Sequence, residues 1–417
     1  MKIIDKLWKY GRFGVLLLLV FLITISSHPR VMEISGDEGI QTGTFLSRYI
    51  ILVFGALFVL TFNYFHFKSY LKSKTLMVSW VALIFIFLYY LITASFYGTK
   101  NMMDDGRAIV VSVGAIMIGW ELHLDKKQMY FILLAFAGLT LYVGLMQVIT
   151  NIGGFEIHDQ YESDNKNALG AMLSTAAIIF LFIGLDWKKI GWVRFVFFAG
   201  VLASLVVMLT IRSRTATLCF AMMVLYVFYI RYRKRHFWAF FFGAIVLIIV
   251  LYNVIPQSFK DYVYDSFYQN YENDDVTSDR INRIVAGLRF LNQHFWVGNL
   301  DAYTTLAWIH NYVLEKLYKY GFIFAFPILF IYMFLLIVTI VKTVKDDNHD
   351  IHNIGSYLLL VPYIISMAEP TFPFGPGTAT IFNFIVFGIA LRTIVDKDDK
   401  DDNESSASIN GIIKKDE

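Results

Sequence analysis

Apolar runs long enough to cross a lipid bilayer recur along most of the chain. Hydrophobic residues make up 57% of the 417 residues and charged residues only 17%, whereas a soluble domain carries roughly a quarter charged residues. Because a transmembrane helix needs about 20 apolar residues and satisfies its own backbone hydrogen bonds, the pattern predicts an all-α polytopic membrane protein. About twelve transmembrane spans are predicted, near residues 11–27, 46–66, 76–97, 107–122, 129–150, 167–185, 192–210, 215–230, 237–255, 320–341, 354–369 and 378–395.

Lysine and arginine residues are concentrated in alternate connections between the predicted spans. Cytoplasmic loops carry an excess of these residues, so this side is predicted to be the cytoplasm, and both termini lie on it. The clustered cations are Lys2, Lys6, Lys9, Arg12, Lys68, Lys72, Lys74, Lys126, Lys127, Lys188, Lys189, Arg194, Arg231, Arg233, Lys234, Arg235, Lys342 and Lys345. Residues 1–395 are therefore predicted to form a single transmembrane domain, followed by a disordered cytoplasmic tail at 396–417. The periplasm or cell exterior receives a long extracytoplasmic loop at 256–319, between the ninth and tenth spans.

Charge and cysteine content exclude several classes of protein. The net charge of +3 is close to neutral, so nothing suggests a nucleic-acid partner. The single cysteine, Cys219, excludes an intramolecular disulfide and a cysteine-based metal site. No inverted pair of broken helices is evident, which is less typical of a secondary transporter.

An amphipathic helix is predicted within the long outer loop, from Arg280 to Phe295. Its apolar side chains share one arc of a helical wheel, and Arg280 and Arg283 flank that arc. Such a helix can lie on a membrane surface with its cations at the depth of the lipid phosphates. The alternative is a capping helix whose arginines face solvent or headgroups. The residues of the arc are Ile281, Ile284, Val285, Leu288, Leu291 and Phe295.

Two further arginines, Arg212 and Arg214, lie in a short turn between apolar runs on the predicted outer side. A guanidinium group donates a fork of hydrogen bonds that suits phosphate oxygens, so this turn is a candidate phosphate-binding element. Anchoring among lipid headgroups is the alternative. Asn165 and Asn167, at the outer start of a span, are candidates for binding a polar substrate or for capping the helix.

The pair His310 and Asn311 lies near the end of the outer loop. A neutral imidazole accepts a proton near physiological pH, so His310 is a candidate general base, and an interfacial histidine is the alternative. The segment Glu369–Pro376 is predicted to be a rigid outer turn that reverses the chain. No carboxylate spacing typical of a metal site is evident, so neither a metal nor a cofactor is expected.

These motifs follow one another in an order that resembles the O-antigen ligase and Wzy-type O-antigen polymerase family. The resemblance covers about residues 165–321. It rests on Asn165 and Asn167, Ser213-Arg214-Thr215, Arg280 through Gly298, His310-Asn311 with Leu314, and Gly321. The chain departs from the family pattern at Ile284, where Trp is frequent, at Phe295 and Trp296, where Pro is frequent, and at Lys319, where Glu is frequent and Glu315 lies one turn earlier.

The resemblance implies an integral membrane glycosyltransferase of the GT-C type in the bacterial cytoplasmic (inner) membrane, with its active site facing the periplasm or cell exterior. The donor would be a glycan repeat unit on undecaprenyl diphosphate in the lipid bilayer, and the acceptor a glycan or a lipid-linked unit. The product would be lipopolysaccharide O-antigen, capsule or exopolysaccharide, with polysaccharide-export machinery as a further partner. Polymerase and ligase both remain open, and a transporter or flippase of lipid-linked oligosaccharide is the alternative.

A diphosphate is already a good leaving group, so neither a general acid nor Mg²⁺ is expected. Arg214 and Arg280, supported by Arg212 and Arg283, would stabilise the negative charge that develops on the diphosphate. His310 would take the proton of the acceptor hydroxyl, and attack opposite the diphosphate would invert the anomeric configuration. Contacts with the glycan are assigned to Asn311, Asn165 and Asn167.

Overall fold

The computed structural model describes residues 2–25, 73–97, 100–122, 124–151, 163–186, 191–232, 280–298, 309–346, 350–375 and 379–392, together with isolated positions between 238 and 261. These residues form α-helices joined by turns, and no β-strand occurs among them, which confirms the predicted all-α fold class. The helices are α1 (Lys2–Ile25), α2 (Lys74–Tyr97), α3 (Lys100–Glu121), α4 (Lys126–Asn151), α5 (Ser163–Asp186), α6 (Trp192–Thr210), α7 (Arg214–Tyr232), α8 (Arg280–His294), α9 (Tyr312–Val344), α10 (Ile354–Ile365) and α11 (Ile381–Arg392).

Five of the described helices are long and apolar enough to cross a membrane, as expected for a helical membrane protein. Their apolar segments are Lys126–Ile149, Lys166–Asp186, Trp192–Thr210, Arg214–Tyr232 and Tyr312–Val344. The predicted span at 46–66, nearly all of the span at 237–255, and the tail at 396–417 lie outside the described residues. The number of twelve spans and the orientation in the membrane therefore stay predictions.

Helix α5 lies at the centre of the bundle. In its apolar segment 89% of the residues are buried, against 28% for α6 and 33% for α7. Helices α4, α6, α7 and α10 pack around it, and apolar side chains on the outer helices, such as Phe195 and Leu218, are exposed where lipid would lie. Because α5 is surrounded, any polar residue at its ends is held next to the ends of several other helices.

Helix α10 is shorter than the span predicted at 354–369. It has 12 residues and extends only about 18 Å, less than the roughly 30 Å thickness of the hydrocarbon region. The helix ends at Ile365, and the chain continues from Ser366 in turns. Asn383 of α11 donates to the Leu358 carbonyl at 2.8 Å and to the Thr175 hydroxyl at 3.1 Å. This buried amide therefore joins α11 to both α10 and α5.

Helix α9 begins at Tyr312, well before the span predicted at 320–341, and the side chain of Asn311 caps its first turn. The polar residues of this first part lowered its hydropathy, but they have partners in the structure. Lys316 binds Asp105 of α3 at 2.8 Å. The last part of the predicted outer loop is therefore helical, which corrects the boundary predicted from hydropathy alone.

A backbone junction joins the end of α8 to a break within α9. Gly321 interrupts α9 with a φ of 68°, and Gly298, just after α8, has a φ of 64°. The Phe322 N–H donates to the Phe295 carbonyl at 2.7 Å, and the Ile323 N–H donates to the Trp296 carbonyl at 3.1 Å. The carbonyls that α8 leaves without intrahelical partners thereby gain donors from the restarted helix.

The two glycines of this junction contact each other directly. A Cβ on Gly298 would lie 2.2 Å from the Gly321 nitrogen, and a Cβ on Gly321 would lie 2.3 Å from the Gly298 nitrogen. Both φ values also lie in the left-handed region, which glycine adopts without steric strain. Gly298 and Gly321, which are separated in the sequence, therefore must both be glycine for the two backbones to meet at this point.

A polar cluster lies at the opposite end of α9 and α10. His352 Nδ1 lies 3.0 Å from Asp350 Oδ1, and His352 Nε2 lies 3.3 Å from the Leu124 carbonyl. The hydrogen bond with His352 holds the pKa of Asp350 below its usual range. Nearby, Asn353 donates to the buried Asp346 at 2.7 Å. These contacts join the α3–α4 connection to the α9–α10 connection.

Gly298→Ala is expected to destabilise the protein, because the new Cβ clashes with the α9 backbone and alanine is strained at this φ. The left-handed conformation alone costs about 1 to 2 kcal/mol, and displacement of the junction adds to that cost. Thermal unfolding of the purified protein in detergent measures the change. The matched control is Gly138→Ala in α4, where a Cβ meets nothing within 4 Å. Equal unfolding midpoints for the two variants would contradict the steric account of the junction.

Candidate functional site

Several chain segments bring polar side chains to one end of the helix bundle. They are the starts of α5, α7, α8 and α9 and the end of α10. Arg280, the first residue of α8, bonds Thr215 in the first turn of α7 and Ala368 just after α10. His310, in the turn before α9, faces Glu369. Residues that were candidates on separate motifs therefore lie together, although Arg280 and Glu369 are 89 residues apart in the chain.

The turn between α6 and α7 holds Arg212 in the left-handed region, with a φ of 56°. The Ser213 N–H donates to the Met208 carbonyl at 3.0 Å, and the Arg212 N–H donates to the Leu209 carbonyl at 3.1 Å. These are the two hydrogen bonds of a Schellman motif, in which glycine is the usual left-handed residue. A side chain at this position costs about 1 to 2 kcal/mol. Residues with backbone strain of this kind cluster at functional sites. We therefore treat Arg212 as a candidate functional residue.

The same turn packs against α5 at Gly170. A Cβ on Gly170 would lie 2.2 Å from the Ser213 hydroxyl oxygen, so the missing side chain lets the turn approach the central helix. Lys166, one helical turn earlier on α5, then lies beside the turn. It interacts electrostatically with Arg214 and Glu369, which places a lysine among the arginines of the site.

Arg280 joins three of the converging segments through its guanidinium group. Its Nη2 donates to Glu369 Oε1 at 3.1 Å. Its Nη1 donates to the Ala368 carbonyl at 3.3 Å and to Thr215 Oγ1 at 3.4 Å. The side chains of Arg280 and Glu369 are 33% and 8% exposed, so the ion pair is partly shielded from water. The guanidinium group is therefore fixed between α7 and the end of α10.

His310 shares the carboxylate of Glu369 with Arg280. Its Nδ1 lies 3.8 Å from Glu369 Oε2, which is longer than a hydrogen bond. The same nitrogen is buried and has no hydrogen-bond partner among the described residues. Because Nδ1 faces Glu369, Nε2 is the ring nitrogen that faces away from the carboxylate. A histidine held in this way can accept a proton on one side while a carboxylate faces its other side.

The turn that carries His310 is fixed from both sides. The Ile309 N–H donates to the buried carboxylate of Glu315 at 2.8 Å. On the other side, the Asn311 side chain caps α9 and donates to the Met367 carbonyl at 3.1 Å. The oxygen and the nitrogen of the Asn311 amide are thus both engaged within the protein, so this residue positions the turn.

Positive charge exceeds negative charge among the groups of the site. Lys166, Arg212, Arg214 and Arg280 are partly buried and repel one another, and Glu369 is the carboxylate that offsets part of this repulsion. Two like charges 4 Å apart repel by about 1 kcal/mol in water and by about 4 kcal/mol near a protein surface. An anion with several oxygens, such as phosphate or diphosphate, would relieve this repulsion and match the forked guanidinium donors.

Helix α8 presents apolar side chains in two directions. Gly287 and Leu291 are buried, and a Cβ on Gly287 would lie 2.6 Å from Ile309. Ile281 and Leu288 are instead 57% and 49% exposed. The single apolar arc predicted from the helical wheel is therefore divided, because one part packs on the turn before α9 and the other part faces away from the protein.

The remaining predicted site residues occupy the same helices. Arg283 lies one turn along α8 from Arg280 and is partly buried, whereas Arg280 makes the contacts with Glu369 described above. Asn167 is partly buried in the first turns of α5. Asn165 belongs to the same helix, but its side chain lies outside the described structure.

Sequence analysis missed two charged groups of the site, Lys166 and Glu369. Lys166 lies between the two asparagines of the motif, and Glu369 begins a turn predicted only to reverse the chain. A signal was present for both. A lysine on the predicted outer side opposes the positive-inside pattern, and a carboxylate at the end of an apolar run is costly without a partner.

Searches against protein-family models and against curated proteins returned no match to this chain. A functional assignment therefore depends on the site itself. The site combines partly buried cations, which suit an anion with several oxygens, with a neighbouring histidine.

Arg212→Gly tests whether the strained arginine serves anion binding. Glycine fits the left-handed φ, so we expect an unfolding midpoint no lower than that of the wild type. Affinity for inorganic pyrophosphate should fall about tenfold or more with the loss of a charge-assisted contact. Titration calorimetry and thermal unfolding of the purified protein measure the two effects. Arg289→Ala, on an exposed part of α8, is the matched control and should retain affinity. A lower midpoint with unchanged pyrophosphate binding would show that Arg212 serves the fold instead.

Proposed function

We propose that this protein is a membrane glycosyltransferase similar to O-antigen polymerases and ligases. It transfers glycan units from undecaprenyl diphosphate at the outer face of the bacterial cytoplasmic membrane, with inversion and without a metal ion. The observation that carries the proposal is the contact of Glu369 with both Arg280 and His310, next to the turn that bears Arg212 and Arg214. In this proposal Arg280 is the phosphate-binding group and His310 the proton acceptor, and their shared contact with Glu369 supports the side-by-side arrangement that transfer from a diphosphate requires.

The topology is part of the same proposal. About twelve spans with both termini in the cytoplasm place the candidate site at the outer face. The opposite end of the described bundle carries Lys126, Arg231, Lys342 and Lys345, which is typical of a cytoplasmic end. The exposed apolar face of α8 suits a helix that lies in the outer interface of the membrane, where a lipid-linked diphosphate is found.

The cations bind the diphosphate of the donor. Arg214 and Arg280 contact its oxygens, and Arg212, Arg283 and Lys166 add positive charge. As the bond between the sugar C1 and the diphosphate oxygen breaks, its electron pair stays on that oxygen. The arginines stabilise this charge without having to reorganise during the reaction. Because the leaving group is already stable as an anion, the mechanism needs no general acid.

His310 acts as the general base. The acceptor hydroxyl attacks C1 from the face opposite the diphosphate, its proton passes to His310 Nε2, and the new C–O bond has inverted configuration. General base catalysis contributes about 10²- to 10⁴-fold to the rate. We assign Asn311 a positioning role in this scheme, since its amide is engaged with α9 and Met367. Contacts of Asn165 and Asn167 with the glycan stay part of the proposal.

The distribution of charge favours an enzyme over a transporter or flippase of lipid-linked oligosaccharide. In the described spans α5 and α7 the charged residues lie near the helix ends, at Asp164, Lys166 and Asp186 in α5 and at Arg214 and Arg231 in α7. Transport pathways instead place ionisable residues deep within the membrane.

An assay with the purified protein in lipid nanodiscs separates the possible activities. Carrier-linked repeat unit is supplied first without any other acceptor, and products are resolved by size. A ladder of products identifies a polymerase. Transfer that begins only when lipid A core is added identifies a ligase. Absence of transfer under both conditions, together with movement of the carrier-linked unit across proteoliposomes, would overturn the enzyme proposal in favour of a flippase.

His310→Ala is expected to reduce transfer by about 10²- to 10⁴-fold, because the acceptor hydroxyl loses its base. The measurement is product formation in the nanodisc assay, alongside the unfolding midpoint to verify the fold. His294→Ala is the matched control, since His294 is exposed at the far end of α8 and should leave transfer unchanged. Near-normal turnover of His310→Ala would remove the histidine from the mechanism.

Arg280→Lys is expected to reduce transfer by about a hundredfold, because lysine keeps the charge but loses the fork that binds two phosphate oxygens. The same substitution at the exposed Arg289 of α8 serves as the control. Activity is measured at saturating acceptor with varied donor. If Arg280→Lys and Arg289→Lys have equal activity, charge alone is sufficient and the bidentate contact is excluded.

A further inference from the structure

Glu369 divides its two carboxylate oxygens between two partners. Oε1 lies 3.1 Å from Arg280 Nη2, and Oε2 lies 3.8 Å from His310 Nδ1. The first contact is a formed ion pair, whereas the second is longer than a hydrogen bond. The carboxylate therefore engages Arg280 while remaining next to the histidine.

The segment that leads to Glu369 is fixed, so any rearrangement is confined to its side chain. The carbonyls of Ser366–Ala368 accept hydrogen bonds from the Tyr312 N–H at 2.9 Å, the Asn311 amide at 3.1 Å and Arg280 Nη1 at 3.3 Å. Arg280 is held through Nη1 by Ala368 and Thr215. Its Nη2 contact with Glu369 is the one that can be exchanged without moving the guanidinium group.

A diphosphate competes with Glu369 for Arg280. It carries more charge than a carboxylate and offers oxygens that a guanidinium group binds in a bidentate manner. It also interacts with the neighbouring Arg212 and Arg214, which repel one another when no anion is bound. Binding of a diphosphate therefore favours release of the Glu369 carboxylate from Nη2.

The released carboxylate has a second partner within reach. A side-chain rotation that moves Glu369 Oε2 by about 1 Å brings this oxygen within hydrogen-bond distance of His310 Nδ1. A carboxylate at Nδ1 fixes the imidazole tautomer, leaves the Nε2 lone pair for a substrate proton and stabilises the imidazolium that forms.

We infer that Glu369 is a positioning residue that exchanges partners during the reaction. Glu369 neutralises Arg280 before the donor binds, and when a diphosphate-linked donor occupies the arginines it turns to His310 and orients this base. This inference rests on the proposed function. Its consequence is that the acceptor is deprotonated efficiently only when the donor is in place, which couples the two halves of the site.

The test compares wild type with Glu369→Gln and Glu369→Asp in nanodiscs. Glu369→Gln is expected to bind inorganic pyrophosphate as tightly as wild type or up to about tenfold more tightly, because no carboxylate competes for Arg280. Its kcat should fall at least about tenfold without a rise in the KM for the donor. The acid limb of its kcat–pH profile, which reports the donor complex, should move to lower pH as the negative charge beside His310 is lost. Glu369→Asp should recover part of the lost kcat.

Glu315→Gln is the control for a purely structural effect. Glu315 holds the same turn through the Ile309 N–H, so this variant should lower kcat without moving the acid limb. An equal shift of the acid limb in both variants would overturn the role assigned to Glu369.

A measurement on the wild type keeps the inference testable if Glu369→Gln does not fold. Histidine-selective ¹⁵N labelling gives the His310 signal, which is assigned by its loss in His310→Ala. Addition of inorganic pyrophosphate should shift this signal as Nδ1 gains the carboxylate. Pyrophosphate binding without a change in the His310 signal would overturn the inference and leave the proposed function intact. Absence of both pyrophosphate binding and transfer in wild type would instead overturn the proposed function itself, and the inference with it.

Discussion

The carbonyl groups of the turn that follows α10 require hydrogen-bond donors, and this requirement brings the site together. The last carbonyls of α10, from Pro362 to Ile365, bond to groups of Ser366, Met367 and Ala368, so the carbonyls of these three residues need partners from other segments. Here the carbonyls of Ser366–Ala368 accept from the backbone of Tyr312, the side chain of Asn311 and the guanidinium group of Arg280. The starts of α8 and α9 are thereby fixed to one turn of chain, and Glu369 follows that turn directly. The same contacts that satisfy this turn therefore also determine the distance between His310 and Arg280.

The site retains two energetic costs that a simpler helix end would avoid. Arg212 occupies a left-handed position at a cost of about 1 to 2 kcal/mol, and the neighbouring cations repel one another. Proteins are stable by only about 5 to 15 kcal/mol, so costs of this size are a notable fraction of the total. An anion bound at these cations would offset the repulsion, whereas the strain arises from the Cβ of Arg212 and would remain. The cluster of partly buried cations therefore favours a negatively charged ligand.

The sequence predicts those parts of the fold that depend on local composition. Helices α5, α6 and α7 are continuous apolar runs, and Arg212 and Arg280 are recognisable because cations are unusual on the predicted outer side. The start of α9 could not be predicted from hydropathy, because Lys316 lowers the hydropathy of this segment. Its burial depends on an ion pair with Asp105 of α3, which hydropathy does not show. Glu369 was missed for a related reason. Its meaning depends on the length of α10 and on a partner 89 residues away, and neither is encoded in local periodicity. The two-sided burial of α8 likewise follows from packing that no helical wheel contains.

Helix α8 is fixed at its two ends by different kinds of contact. At its start the guanidinium group of Arg280 bonds α7 and the end of α10, and at its end the Phe295 carbonyl bonds the Phe322 N–H across the glycine junction. Between these points its buried face packs on the turn before α9, and its opposite apolar face remains exposed. A helix held in this way keeps its first arginine in place without help from the membrane. In the function proposed above, this arrangement would separate two tasks, because the exposed face would contact the lipid of the donor while the fixed end of the helix would bind the diphosphate.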